Sequence, residues 1–159
     1  MNRIETFNNG LSFDEFLNSS ESKYKDATLD FYNNMELGED LISQIKNIDK
    51  EINVLVCAEL WCPDCIVNVP AVQIFNELNE NIKISIIEKE GYEDEFSKIP
   101  TFIIYDNKFN ELGRFIERPK IIKKIENEGT QPEIIVAKRQ YRKGKYILDT
   151  VQDILDIIK

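Results

Sequence analysis

The 159-residue chain carries 29 acidic side chains against 20 Lys and Arg, a net charge of −9, and no histidine. That balance argues against a nucleic-acid partner, whose affinity comes largely from phosphate neutralisation. The missing imidazole excludes Ser–His and Cys–His nucleophilic pairs and His-ligated metal.

With 42% hydrophobic and 31% charged residues, the length suits one domain over residues 1–159, large enough to bury a core without staples. No apolar run approaches the length that spans a bilayer, so no membrane partner is expected. Met1 to Asn8 contain no continuous apolar stretch of the signal-peptide kind, and the expected compartment is the cytosol.

Taken in chain order, Ser12-Phe13-Asp14-Glu15 reads as a capping box opening a short helix, with Leu11 and Phe16 placed as its hydrophobic staple. A second helical stretch covers about Ala27 to Asn47, interrupted near Gly38, with Leu41, Ile45 and Ile48 as its apolar stripe. Ile52 to Ala58 is apolar at most positions, the pattern of a central strand covered on both faces. A helix-like run follows from Ile66 to Leu78. Ile82 to Ile87 alternates and is β-branched, hence a strand.

The connection carrying Tyr92, Phe96 and Ile99 has room for a short helical turn. Thr101–Asp106 and Glu111–Glu117 flank a hairpin loop at Asn107-Lys108-Phe109-Asn110. Pro119 is expected at the first position of the next helix, with Ile121, Ile122 and Ile125 as its buried face and Gly129 as its stop. Pro132 opens another helix that ends at Gly144. Ile147, Val151, Ile154, Leu155 and Ile158 then describe one apolar face of a docked terminal helix. Lys138, Arg139, Arg142, Lys143 and Lys145 read as a solvated face, with a docking patch for an acidic partner as the sharper alternative.

The chemistry sits at Trp61-Cys62-Pro63-Asp64-Cys65, where the central strand gives way to a helix. Three cysteines in such a chain point to redox or metal use and away from a disulfide scaffold. A thiolate is the nucleophile, and the helix N-terminus stabilises it at Cys62. Cys65, one turn on and on the same face, is placed to attack a mixed disulfide on Cys62 and release the substrate. Pro63 suits the first helical turn. Asp64 suits the helix dipole but opposes a second anion, so a modest lowering of the Cys62 pKa and a reducing couple are expected. Cys57, on the core strand, reads as a small hydrophobe. A zinc site would need Cys57, Cys62, Cys65 and a carboxylate; three thiols without a second CxxC rarely close one.

Trp61-Cys62-x-x-Cys65, Pro70, Ile99-Pro100-Thr101 and the following hairpin with Gly113 resemble the thioredoxin superfamily over about Ile52 to Gly129. Asn68-Val69-Pro70 and Gly113-Arg114-Phe115-Ile116-Glu117-Arg118-Pro119 further resemble a small bacterial thioredoxin-like group with helices added at both ends. The resemblance implies an α/β three-layer sandwich with a mixed sheet of about four strands. Its parts would be a helical extension over residues 1–50, a redox core over 51–129 and a helical extension over 130–159. It also implies a cis Pro100 packed against the dithiol and an Ile99 backbone that pairs with an extended substrate.

Trp61 would be an apolar wall beside the nucleophile or plain core packing, and Pro70 would kink the helix. Trp61, Pro63, Asp64, Ile99 and Pro100 are thus the expected substrate-side residues. Two departures stand out. The family buries an acid six positions before the nucleophile, where this chain has Val56, and Glu59 is the nearest substitute for moving the Cys65 proton. Pro63-Asp64 also replaces the usual Gly-Pro.

The resulting expectation is a cytosolic thiol-disulfide oxidoreductase, a disulfide reductase in which Cys62 attacks and Cys65 resolves. Its substrate would be a disulfide-containing protein or small thiol compound. Its electron donor would be an external reductase or a low-molecular-weight thiol. No organic cofactor is called for, and no G-x-G-x-x-G loop is present. The alternative is a thioredoxin-like binding or adaptor module with a slow or vestigial dithiol.

Overall fold

The structure, a computed structural model, describes residues Met1–Lys159. In chain order its elements are α1 (Arg3–Asn8), α2 (Phe13–Leu17), α3 (Ser22–Asn33), α4 (Glu39–Lys46), β1 (Ile52–Cys57), α5 (Pro63–Leu78), β2 (Ile82–Ile87), β3 (Thr101–Tyr105), β4 (Glu111–Ile116), α6 (Lys120–Glu128), α7 (Gln131–Arg142) and α8 (Ile147–Ile158).

The four strands form one mixed sheet in the order β2-β1-β3-β4. β1 runs parallel to β2, with Ile52 opposite Ile82 and Cys57 opposite Ile87. It runs antiparallel to β3, with Cys57 opposite Thr101, and the β3–β4 hairpin closes the far edge. The outer edge of β2 is capped by Leu11, which exchanges two backbone hydrogen bonds with Ile86 (2.7 and 2.9 Å). That pairing removes bare edge groups that would otherwise invite another strand.

Every residue of β1 is buried because the sheet is covered on both faces. Val54 and Val56 face the main core, a cluster of 29 buried residues that runs from Phe16 to Ile158 and takes in α5 and α8. Leu55 and Cys57 face the other way, into a smaller cluster with Ile87, Phe96, Ile103 and Tyr105. Phe7 of α1 and the 88–100 connection cover that second face, with Phe7 set edge-on to Phe109 (5.4 Å between ring centroids).

The Ser12 capping box is formed in full. Gly38 breaks the second helical stretch by adopting φ 81° at the N-cap of α4, a left-handed conformation open to glycine without a Cβ penalty. Gly113 lets β4 approach α8: a Cβ there would lie 2.9 Å from Ile157 Cγ2. The face of α8 named from its spacing is buried throughout.

Three sequence expectations are corrected. Helix α3 begins at Ser22, ahead of Ala27, without a side-chain cap on Glu21 to announce it. Pro119 is the N-cap of α6, not its first residue, with extended backbone (ψ 154°). Ile121 is 37% exposed, and Ile122 alone of its named face is fully buried. In the 88–100 connection the Tyr92 carbonyl accepts from Glu95 and Phe96 (both 3.0 Å), the short helical turn for which the sequence left room. α5 spans Pro63–Leu78 with Pro70 inside it. No helix is long and apolar enough to cross a membrane.

Candidate active site

β1 ends at Cys57, and the chain passes through Ala58-Glu59-Leu60-Trp61 before Cys62 becomes the N-cap of α5, with Pro63 at the first helical position. Proline there has no N–H to lose and a φ already set for the helix. The Cys62 carbonyl accepts from Ile66 N–H at 2.9 Å, closing the first turn. The Cys62 sulfur therefore lies where the unpaired N–H groups of the helix point.

The two thiols differ sharply. Cys62 retains 7% of its surface and Cys65 1%, so Cys62 is the more accessible of the pair. A hydrogen bond from the Cys65 thiol, followed by the backbone N–H groups of Cys65 and Asp64, lowers the Cys62 pKa to about 7, against burial and the Asp64 charge. Burial, and then the neighbouring Cys62 sulfur, push the Cys65 pKa well above the ordinary thiol value. One thiol is poised as the anion and the other holds the proton that stabilises it.

Cys57 belongs to the opposite face of the sheet, where burial raises its pKa to about 12. It is a core residue and shares no cluster with the other two thiols. No three metal-ligating side chains come together anywhere in the chain.

Across from the dithiol, the Ile99–Pro100 bond is cis. The Ile99 carbonyl oxygen lies 4.0 Å from the Cys62 sulfur. Neither the N–H nor the carbonyl of Ile99 is taken up by another backbone group. This leaves a short length of unpaired backbone beside the Cys62 sulfur.

Cys62, Ile99, Trp61 and Glu59 open on a common cleft of about 530 Å³. Trp61 is 53% exposed, so it is a wall of this cleft and not part of the core. Pro63 is exposed at the rim. The Glu59 carboxylate is partly buried and accepts from Lys89 N–H at 2.9 Å, which fixes it to the loop after β2. Val56 is fully buried among apolar side chains, so no acid lies under the dithiol at that position.

Asp64 departs from the solvated first-turn residue its position suggests. It is 9% exposed, and its Oδ1 lies 3.4 Å from the Arg118 Nε. Arg118 also donates to both oxygens of Glu126 (2.9 and 3.1 Å) and pairs with Glu117 at 3.3 Å. One turn beyond Cys65, the buried Asn68 Nδ2 donates to the Glu117 carbonyl (3.0 Å) and the Tyr141 hydroxyl (2.7 Å). Its Oδ1 accepts from Thr150 at 2.8 Å. Sequence reading did not reach Arg118, Asn68 or Tyr141 as parts of the site. The local signals are the Asn68-Val69-Pro70 and Gly113–Pro119 stretches, and nothing in them marks where the asparagine or the arginine points.

A sheet in which β1 delivers a CxxC to a helix N-terminus, opposite a cis-proline turn ahead of β3, defines a thioredoxin-like protein. The Thioredoxin family model matches residues 10–132, and the chain belongs to that family. A crystal structure at 1.5 Å of a Pseudomonas aeruginosa protein of unknown function is similar over 98% of this chain and 95% of its own, with a TM-score of 0.86 and 30% identity. An HIV epitope scaffold matches with a TM-score of 0.84 and 29% identity, over 98% of this chain and 96% of its own. No curated protein matches the chain.

The lowered Cys62 pKa carries an expected outcome. The anion is the reactive form, so reactivity is present above about pH 7 and lost below it. Alkylation of the reduced protein, followed by peptide mass, should rise through pH 7 at Cys62 and level off, while Cys57 and Cys65 stay unmodified. A Cys62 midpoint near the ordinary thiol value of about 8.5 contradicts this.

Proposed function

We propose that this chain is a thiol-disulfide oxidoreductase working as a disulfide reductase. The observation that carries the reading is the asymmetric dithiol, with an accessible Cys62 near pKa 7 hydrogen-bonded by a buried, protonated Cys65.

The Cys62 thiolate attacks one sulfur of a substrate disulfide, forming the Cys62–substrate disulfide and releasing the first substrate thiolate, which takes up a proton. Cys65 then loses its proton and attacks the Cys62 sulfur, forming the Cys62–Cys65 disulfide and releasing the second thiolate. Two electrons and two protons pass to the substrate, and an external reductase or low-molecular-weight thiol restores the dithiol. We assign the Cys65 proton to Glu59, which lines the cleft with Cys62, acting directly or through water. The unpaired Ile99 backbone holds the substrate segment as an added strand, with Trp61, Pro63, Asp64 and Pro100 around it. Such a couple is kept reduced in the cytosol, where thiol pools recycle it.

The cleft also states a preference. Its lining carries five carboxylates, Glu59, Asp64, Glu90, Glu93 and Glu117, against the ammonium groups of Lys89 and Lys98, on a chain of net charge −9. Cationic disulfides should be steered in and anionic ones turned away.

The test is a rate series with cystamine (a dication), bis(2-hydroxyethyl) disulfide (neutral) and oxidised glutathione (an anion). At low salt the cation should be reduced about tenfold or more faster than the anion. The spread should collapse near 1 M salt, where the Debye length falls to about 3 Å. Equal rates at low salt contradict the charge preference. No reduction of any of the three contradicts the reductase itself.

A further inference from the structure

We propose that Arg118 is a positioning residue of the dithiol. Its guanidinium neutralises the Asp64 carboxylate beside the dithiol, and its own anchoring by Glu117 and Glu126 ties the charge at the site to the β4–α6 turn and the C-terminal helices. The proposal rests on the reductase reading and concerns what sets the state of its nucleophile.

Asp64 lies between the two cysteines in sequence and lines the cleft with Cys62, whose sulfur must be an anion to react. It is nearly buried, so water does little to screen it. A carboxylate so placed opposes the Cys62 thiolate, unless a cation shares its field. Arg118 Nε, 3.4 Å from Asp64 Oδ1, is the cation in contact with it.

Arginine suits this place because it stays charged when desolvated and presents several donors in a fixed fork. One edge of the fork faces Asp64, while Nη1 is held by Glu126 at 2.9 Å and Glu117 at 3.3 Å. Glu126 lies on α6 and is shared with Lys138 of α7 at 3.5 Å. The Tyr141 hydroxyl faces Asp64 from α7, where burial and then the Asp64 charge raise its pKa. The groups facing the thiols and this carboxylate are Cys65 and Asp64 on α5, Glu59 before it, Lys89, Glu90, Glu93 and Lys98 in the connection after β2, Arg118 and Glu117 after β4, and Tyr141 on α7. Of the three cations, Arg118 is the one paired with Asp64.

If Arg118 held only the turn, its loss would change stability and leave the thiol alone. If it works through Asp64, its loss changes the thiol by way of the carboxylate. The test uses the full-length protein with Arg118→Gln, Arg118→Lys, Asp64→Asn and the double variant. It reads the pH midpoint of Cys62 alkylation and the dithiol–disulfide equilibrium at a pH above every midpoint.

Arg118→Gln should raise the midpoint by about one unit, a tenfold loss of thiolate at a given pH below it. The equilibrium should shift tenfold toward the disulfide, equivalent to about 30 mV more reducing. Arg118→Lys should fall between wild type and Arg118→Gln. Asp64→Asn should lower the midpoint, and adding Arg118→Gln to it should produce little further change.

An unmoved midpoint in folded Arg118→Gln overturns the proposal. An equal rise with and without Asp64 also overturns it, since the arginine would then act directly. Should Arg118→Gln fail to fold, the neutral pair decides: matching midpoints in Asp64→Asn and the double variant, both below wild type, support the proposal, and a raised double variant overturns it. A wild type that reduces no neutral disulfide defeats the reductase reading alone, because the midpoints are measured without turnover.

Discussion

Cys62→Ser should bring disulfide reduction down to the uncatalysed background, while Cys65→Ser should still attack substrate and then stall. The difference follows from exposure and proton placement. Cys62 keeps 7% of its surface against 1% for Cys65, and its pKa is lowered to about 7 while that of Cys65 is raised well above the ordinary thiol value. Near neutral pH about half of Cys62 is then ready to attack, and Cys65 is a thiol out of reach.

Serine at position 62 removes the only accessible nucleophile of the dithiol. Serine at position 65 keeps a hydroxyl that can donate to the Cys62 sulfur, so the first step survives. The resolving step loses its intramolecular partner, and turnover should fall by at least about 10²-fold, a cautious figure beside the effective molarities of well-placed groups. Intact mass after mixing Cys65→Ser with bis(2-hydroxyethyl) disulfide should show a stable adduct on Cys62. The same adduct on Cys65 in the Cys62→Ser protein, formed at a comparable rate, contradicts the assigned roles.

The second large effect is structural. Asn68→Ala should cost about 3 kcal/mol, because it leaves buried hydrogen-bonding groups without their partner. Asn68 is fully buried on α5 and satisfies three groups from distant parts of the chain. Its amide nitrogen serves the Glu117 carbonyl and the Tyr141 hydroxyl, and its oxygen accepts from Thr150 on α8. Tyr141 retains only a long contact of 3.4 Å to the Glu117 carbonyl.

For a chain of this length the loss corresponds to a fall in melting temperature of roughly 6–12 °C. Asn34→Ala, at an exposed C-cap, should stay within about 1 kcal/mol and serves as the control. Thermal and denaturant unfolding of both variants check this. A loss at Asn68 no larger than at Asn34 contradicts the role of this network in docking the C-terminal helices.

The parts of the fold legible in the sequence are those whose signals are local. The apolar run of β1, the CxxC at its exit, Ile99-Pro100-Thr101 before β3, and the one-sided pattern of α8 each depend on neighbours within a few residues. The start of α3 was not legible because Glu21 makes no side-chain cap, and Ile121 was misplaced because helical spacing alone does not say how wide a buried stripe is. Asp64 shows the limit at the site. Its position at the helix N-terminus is plain, yet its burial and pairing depend on Arg118, far along the chain and past the hairpin. Asn68, Tyr141 and Thr150 meet across comparable distances in sequence. Asparagine, tyrosine and threonine carry no pattern that forecasts such a meeting. The left-handed backbone of Glu117 (φ 68°) is equally silent, since glutamate rarely adopts it.

The most direct test of the central claim is a redox titration of Cys62 and Cys65 against a thiol/disulfide buffer, read by alkylation and mass with Cys62→Ser as control. The account predicts a reversible two-electron couple at or below about −230 mV, on the reducing side with thioredoxins. A couple above about −180 mV would make the protein an oxidant or isomerase. The absence of any reversible couple would contradict the assignment of an active dithiol altogether.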